Sequence, residues 1–288
     1  MDLADSLSGR KLYRVVRPDL PSHTYIISNL DSRRIHFDPT ITDFDLYKQT
    51  VKCNEIFLRF AHRLGLFGGF RANRVCELIL ISGGFYYHLN RSFYHVFGHS
   101  LPAGFIGVKR LLGKHPRGVI SYDNLEAIPG NNITLIGDTI ATGATLIDSI
   151  NYYLAKMSTV KKIIIFTIAG ALPGAKRLAK MENIFRQRAV ELRLFFSDGI
   201  FGLAEDQTDM FYFHPDSILA PEAKKAASEK LGEALGGRMC VIWDWGRRNK
   251  DPIGHLEEVI RVCERLGEPA AAIARKARAK LTDRRRRL

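Results

Sequence analysis

The sequence predicts an α/β fold, a parallel sheet covered by helices on both faces, followed by a mostly helical C-terminal extension. Three observations predict it. Short, nearly continuous apolar runs recur at CELILIS (76–82), NITLI (132–136) and VKKIIIFTIAG (160–170), as expected of strands buried on both faces. Segments of helical apolar spacing alternate with these runs. From about Ser217 the composition turns to polar helical stretches punctuated by Pro221 and Gly236-Gly237.

In chain order, residues 1–40 read as an N-terminal arm and 41–216 as the α/β domain. The opening MDLADSLSGRKLY carries acids and no apolar core, so no secretion signal is expected. Residues 42–64 read as a helix, with Thr42 as cap, Asp43 and Asp45 in the positive first turn, and Gly65 at the far end. Its buried stripe is expected to be Phe44, Tyr47, Val51, Leu58, Ala61 and Leu64. A second helix is expected from Thr142 to about Met157, with Leu146, Ile150, Tyr153, Leu154 and Met157 on one face. Residues 217–288 read as a basic, mostly helical module with a strand at RMCVIWDWG, where Trp243 and Trp245 alternate as core.

No run approaches the roughly 20 apolar residues that span a bilayer. Four scattered cysteines, Cys53, Cys76, Cys240 and Cys263, lack any C-x-x-C pair, and they read as reduced thiols of a cytoplasmic protein. Of the net charge of +13, residues 271–288 supply +7. Residues 275–287 are therefore a candidate for weak nucleic-acid contact, set against the plain alternative of a solvated helix end. His95 and His99 have the spacing of a metal pair, but no third ligand accompanies them and no protein metal site is expected.

In such a sheet, ligands bind beyond the carboxyl ends of the strands. Two unusual junctions fall there: Ser82-Gly83-Gly84, and Gly137-Asp138 followed by Ala141-Thr142-Gly143-Ala144-Thr145. A strand that ends in small residues and turns into a helix exposes unpaired N–H groups at the positive end of the helix dipole, which together form an anion site. Gly143 permits positive φ and close backbone approach. Thr142 and Thr145 add hydroxyl donors, and Asp138 is placed to accept from sugar hydroxyls beside the phosphate. A phosphate beside a ribose diol means a sugar phosphate. No lysine follows Gly143 as a Walker loop requires, and no G-x-G-x-x-G is present.

The segment LIGDTIATGATL resembles the PRPP-binding motif of type I phosphoribosyltransferases, most closely that of uracil phosphoribosyltransferases. AGFIGVKR (103–110) and KKIIIFTIAGALPGAKRL are similar to the family's flanking segments, so the resemblance spans roughly residues 40–210. It implies a phosphoribosyltransferase (Rossmann-like) core. Residues Ala141, Thr142, Gly143, Ala144 and Thr145 would hold PRPP at its 5′-phosphate and Asp138 its ribose, with Thr139 a further PRPP-binding residue. Ser82, Gly83 and Gly84 would receive pyrophosphate. Arg110 would reach the diphosphate, with Lys109, Lys114 and Arg117 nearby, and Asp138 and Arg110 would be catalytic.

The implied acceptor is uracil or another heterocycle, met by Gly202, Leu203 and Asp206, with Phe85, Tyr86 and Tyr87 as further pocket candidates. Mg²⁺ would be held mainly by ligand oxygens. Nucleotide salvage by a homodimer or larger assembly is the implied setting. Three departures from the family pattern stand out. Gly137 replaces an acid, Ser82 replaces an arginine, and GLAEDQTD (202–209) only loosely matches the base-recognition stretch. These departures also admit a second class, a non-catalytic PRPP-binding regulator with a basic nucleic-acid-binding tail.

Overall fold

A computed structural model describes residues 1–69, 71–81, 83–111 and 117–287; the side chains of Ala72, Arg110, Leu111, Arg117 and Arg287 are outside that description. The strands are β1 (Asp2–Leu7), β2 (Arg10–Val15), β3 (Thr24–Ser28), β4 (Val75–Ile81), β5 (Ala103–Leu111), β6 (Arg117–Asn124), β7 (Ile133–Gly137), β8 (Lys162–Thr167), β9 (Gly170–Ala171), β10 (Glu191–Ser197), β11 (Gly199–Leu203), β12 (Met210–Phe211) and β13 (Ile218–Leu219). The helices are α1 (Leu30–Phe37), α2 (Asp43–Arg63), α3 (Leu89–Phe97), α4 (Ala144–Lys156), α5 (Leu172–Gln187), α6 (Pro221–Lys230), α7 (Gly232–Gly236), α8 (Trp245–Lys250), α9 (Pro252–Leu266) and α10 (Ala271–Arg287).

Among the described residues, a nine-stranded sheet has the order β1-β2-β3-β10-β8-β7-β4-β5-β6. Its central strands, from β3 to β5, are all parallel. The antiparallel strand β6 closes one edge and the β1–β2 pair the other. Every residue of β3 and of β7 is buried, which requires cover on both faces and explains why these strands read as unbroken apolar runs. A smaller sheet joins β12, β11 and β13, with β9 beside β11.

Chain order against spatial order locates the crevice. Strands β4, β5, β7, β8 and β10 stand in the doubly wound order 2-1-3-4-5. The chain leaving β4 moves outward to β5, whereas the chain leaving β7 moves the opposite way to β8. The connections therefore diverge between β4 and β7, which pair directly, Val75 opposite Ile133. A crevice opens at such a switch point, beyond the carboxyl ends. Gly83-Gly84 and the bend from Gly137 to Thr145 flank it.

Several local expectations are corrected. Thr42 makes no side-chain cap; its hydroxyl instead accepts from Arg284 Nη2 at 3.0 Å. Phe44 is 64% exposed and Tyr47 only half-buried, because the buried stripe of α2 runs through Leu46, Thr50, Asn54 and Phe57. Helix α4 starts at Ala144, since Gly143 adopts φ +74° and ends the bend there. RMCVIWDWG forms no strand: Trp243 takes φ +58°, and Asp244 caps α8 by accepting from Arg247 N at 2.9 Å.

Residues 1–40 contribute β1–β3 and α1, and residues 217–288 contribute α6–α10 and β13. Both segments share one continuous apolar cluster with the central sheet, from Leu12 to Leu281. No helix among the described residues is long and apolar enough to cross a membrane. Helix α10 lies against acids of its own chain: Lys276 pairs with Asp38, Arg278 with Glu264, Arg284 with Asp43 and Arg285 with Glu257.

One buried cation fastens the C-terminal third. Arg248 is fully buried and has no ion-pair partner among the described residues. Its guanidinium donates to the carbonyls of Ile35, Asp38, Ile41 and Ile242 at 2.9 to 3.4 Å. Burial pulls its pKa down to about 10, while carbonyl dipoles at the negative end of α1 offset part of the desolvation cost. Arg248→Met is expected to cost about 3 kcal/mol, because four carbonyls lose their donor. A lower denaturant midpoint reads this out, and Arg248→Lys recovers only part, since one ammonium lacks the planar fork.

Candidate functional site

The two loops at the switch point touch through glycines. A Cβ on Gly83 would lie 2.6 Å from Asp138 Oδ1, and one on Gly84 2.9 Å from the Gly137 carbonyl. Only bare backbone allows this approach. Asp138 is thereby 8% exposed. Its Oδ1 accepts from Thr139 N at 2.8 Å, and burial pushes its pKa up to about 7. A carboxylate with so little compensation is poised to gain further donors.

Beyond Asp138 the loop is pinned at one residue. Ile140 N donates to Ala169 O at 3.2 Å and Ile140 O accepts from Ala171 N at 2.7 Å. From there the chain bends at left-handed Gly143, where a Cβ would lie 3.1 Å from the Gly174 Cα. Helix α4 has no side-chain cap. Among the described residues, the N–H groups of Ala141, Thr142, Gly143, Ala144, Thr145 and Leu146 have no protein acceptor. Thr142 and Thr145 remain partly accessible. This is a concave set of donors at a helix N-terminus, which suits a tetrahedral anion.

Gly137 also has a steric cause. A Cβ there would lie 2.6 to 2.7 Å from the Tyr87 side chain. Tyr87 is fully buried; its hydroxyl accepts from Ile168 N at 3.1 Å and stands 3.5 Å from Thr139 Oγ1. The ring fills the space that an acid at position 137 would need, so the bend carries a single carboxylate.

The cleft beside these loops has a volume of about 860 Å³. One side is Ile81, Gly83, Phe85, Tyr86, Asp138, Thr139, Ala141 and Thr145. Thr208, Asp209 and Met210 follow, and the opposite wall comes from the C-terminal third: Arg238, Cys240, Ile242, Trp243, Asp244, Trp245, Lys250 and Glu258. Trp245 joins the two walls. It is 4% exposed, its Nε1 donates to Gly83 O at 3.2 Å, and its ring lies 5.4 Å from that of Tyr87. The sequence reading missed this wall, which Asp244 as a helix cap before WGRRNK could have signalled.

Other expected site residues lie apart from the cleft lining. Lys109 is exposed on β5. Gly202 has no room for a Cβ beside His214, with the nearest atom 2.0 Å away, and its N–H donates to Ser217 Oγ at 2.8 Å. Leu203 pairs with Met210. Asp206 accepts from Thr208 N and Asp209 N in its own turn, at 2.8 and 2.9 Å. Asp198, between β10 and β11, is buried and accepts from Asn29 N at 3.0 Å and Arg33 Nε at 3.2 Å. His95 Nδ1 bonds Glu55 at 2.8 Å. Ser82 and Lys114, and the side chains of Arg110 and Arg117, lie outside the described residues.

No protein-family model and no curated protein matches this sequence. Among solved structures, it is similar to a hypoxanthine-guanine phosphoribosyltransferase of L. donovani at 15% identity, covering 63% of this chain and 95% of that one with a TM-score of 0.36. It is also similar to an adenine phosphoribosyltransferase from Leishmania donovani at 14% identity, covering 73% and 97% with a TM-score of 0.42. Superpositions this loose decide neither fold nor activity. The weight falls on the cleft's own geometry.

The raised pKa of Asp138 makes a stability prediction. The unfolded carboxyl ionises near 4 and the folded one near 7, so the folded state holds the extra proton between them and stability falls as pH rises through that window. Asp138→Asn keeps the acceptor for Thr139 N and removes the buried charge. It is expected to raise stability at pH 8 by about 2 kcal/mol and to flatten the decline between pH 4 and 7, as denaturant melts across pH will report.

Proposed function

We propose that the chain is a Mg²⁺-dependent phosphoribosyltransferase, moving ribose 5-phosphate from PRPP to a nucleobase-like heterocycle with release of pyrophosphate. One observation carries this reading. The unpaired N–H groups of residues 141–146 curl around left-handed Gly143 while Asp138 lies buried at the mouth of the same crevice. Donors for a phosphoryl group beside an acceptor for a diol match a ribose phosphate.

The 5′-phosphate would sit in the bend, held by those amides and the hydroxyls of Thr142 and Thr145. Asp138 would accept from the ribose hydroxyls. The backbone of Gly83 and Gly84 would receive the diphosphate, and Arg110 and Lys109, both within β5, are the cations assigned to it. In the transfer, the acceptor nitrogen bonds to C1 of the ribose. The C1–O bond breaks with its electron pair going to pyrophosphate, and the nitrogen's proton leaves to solvent. The amides and cations stabilise the charge that develops on the leaving group, and the walls hold nitrogen and C1 in line while excluding water.

Mg²⁺ fits this donor set. Asp138 is the carboxylate at the bend, and one carboxylate with phosphate oxygens is how magnesium is commonly held. When bound it would neutralise charge on the departing diphosphate. A homodimer or larger assembly and a role in cytoplasmic salvage accompany this reading.

A second reading, a PRPP-binding regulator without turnover, is favoured by one observation: Tyr87 occupies the space of a second acid, leaving Asp138 alone. Nucleic-acid contact through 275–287 would then have to compete with the ion pairs that α10 already makes.

Titration calorimetry with PRPP and Mg²⁺ tests the site. Saturable binding is expected, weakened about tenfold or more by Asp138→Ala or by Gly143→Val, which crowds the bend. Absence of binding to the unaltered chain rejects both readings. Pyrophosphate release in the presence of a heterocycle separates enzyme from regulator.

A further inference from the structure

The cleft wall built by the C-terminal third has a chemistry that a neutral nucleobase does not use. Arg238 and Lys250 both line it and are exposed, and neither has an acidic partner within ion-pair distance among the described residues. The acids nearby are already engaged. Glu258 pairs with Arg247 Nη1 at 2.7 Å, and Asp244 accepts from Arg247 N as the cap of α8. Asp209 is half-buried beside the Cys240 thiol, and burial raises its pKa. Two cations without an ion-pair partner therefore face the same space as the bend at Gly143.

Aromatic side chains line the cleft from both sides. Phe85 is 54% exposed and meets Tyr86 edge-on at 5.3 Å. Trp243 holds φ +58°, a conformation that bulky residues adopt only when surroundings enforce it, often where function needs it. The enforcement is visible. Cys240 Sγ accepts from Trp243 N at 3.3 Å, and the Trp243 ring stands edge-on to His255 at 6.0 Å. The carbonyl of the preceding Ile242 is gripped by Arg248 at 3.2 Å.

We propose that the acceptor is a planar nitrogen heterocycle bearing a negatively charged substituent, its ring against Phe85, Tyr86 and Trp243 and its charge taken by Arg238 and Lys250. The inference rests on the phosphoribosyltransferase reading and narrows its substrate class. An anion here gains charge-assisted hydrogen bonds that a neutral ring of the same shape does not, so the wall selects by attraction.

Matched pairs that differ in charge test it: orotate against uracil, and nicotinate against nicotinamide. Each is titrated into the full chain holding ribose 5-phosphate, and each is assayed for pyrophosphate release with PRPP and Mg²⁺. The acid of at least one pair is expected to bind about tenfold or more tighter than its neutral partner, and any turnover follows the same order. Arg238→Ala/Lys250→Ala is expected to abolish that preference while PRPP affinity changes less than about twofold, with Arg238→Lys restoring part of it. Equal or tighter binding of both neutral members overturns the inference and leaves the transferase reading intact. So does a double variant that loses PRPP affinity but keeps the acid preference, since the cations would then serve the diphosphate. Failure of PRPP itself to bind overturns the transferase reading instead, and the matched pairs still report separately on the wall.

Discussion

The close approach of two backbone loops at the switch point is the constraint on which the cleft depends. Strands β4 and β7 pair directly, so their carboxyl ends emerge side by side. Gly83 leaves space for the Asp138 carboxyl, Gly84 for the Gly137 carbonyl and Gly137 for the Tyr87 ring, so that the following loops meet closely. That contact buries Asp138 and raises its pKa, and it turns the N–H groups of residues 141–146 toward one space. A side chain at any of the three glycines would force the loops apart and let water reach the carboxyl, removing both the electrostatic tension at Asp138 and the shape of the crevice.

The second organising element is Arg248. A guanidinium without a carboxylate is unusual in an interior, and this one is satisfied by carbonyls drawn from α1, the loop before α2 and the turn before Trp243. Its planar fork connects segments that the chain separates by some two hundred residues. Together with the Trp245 hydrogen bond to Gly83, it makes the C-terminal third a wall of the cleft. Here stability and site geometry are one property, because the same donors that satisfy buried carbonyls also fix where Trp243 stands.

The central strands were legible because burial on both faces leaves nothing but apolar residues to read, as in NITLI and KIIIF. The bend from Gly137 to Thr145 was legible as a candidate anion site because hydroxyls, glycine and an acid meet there at a strand-to-helix junction. Two helix details misled for local reasons. Thr42 looked like a cap, yet its hydroxyl is taken by Arg284 from far along the chain. Phe44 fitted a helical stripe, but tertiary packing chose the stripe through Leu46. The far wall was illegible as a site. Trp243 and Trp245 sit two apart, which mimics a strand; in fact one occupies a left-handed turn and the other opens a short helix. Their meeting with Gly83 is a contact across the fold, which no local pattern encodes.

The distance along the chain between the two halves of the cleft bears on biosynthesis. Strand β3 finds its parallel neighbour only when β10 has been made, and the loop at Gly83 gains its bond from Trp245 later still. A nascent chain that has not yet reached Arg238 therefore carries the bend at Gly143 while one side of its cleft is still unbuilt, and a product stopped before Trp245 lacks the bond that ties the two sides together.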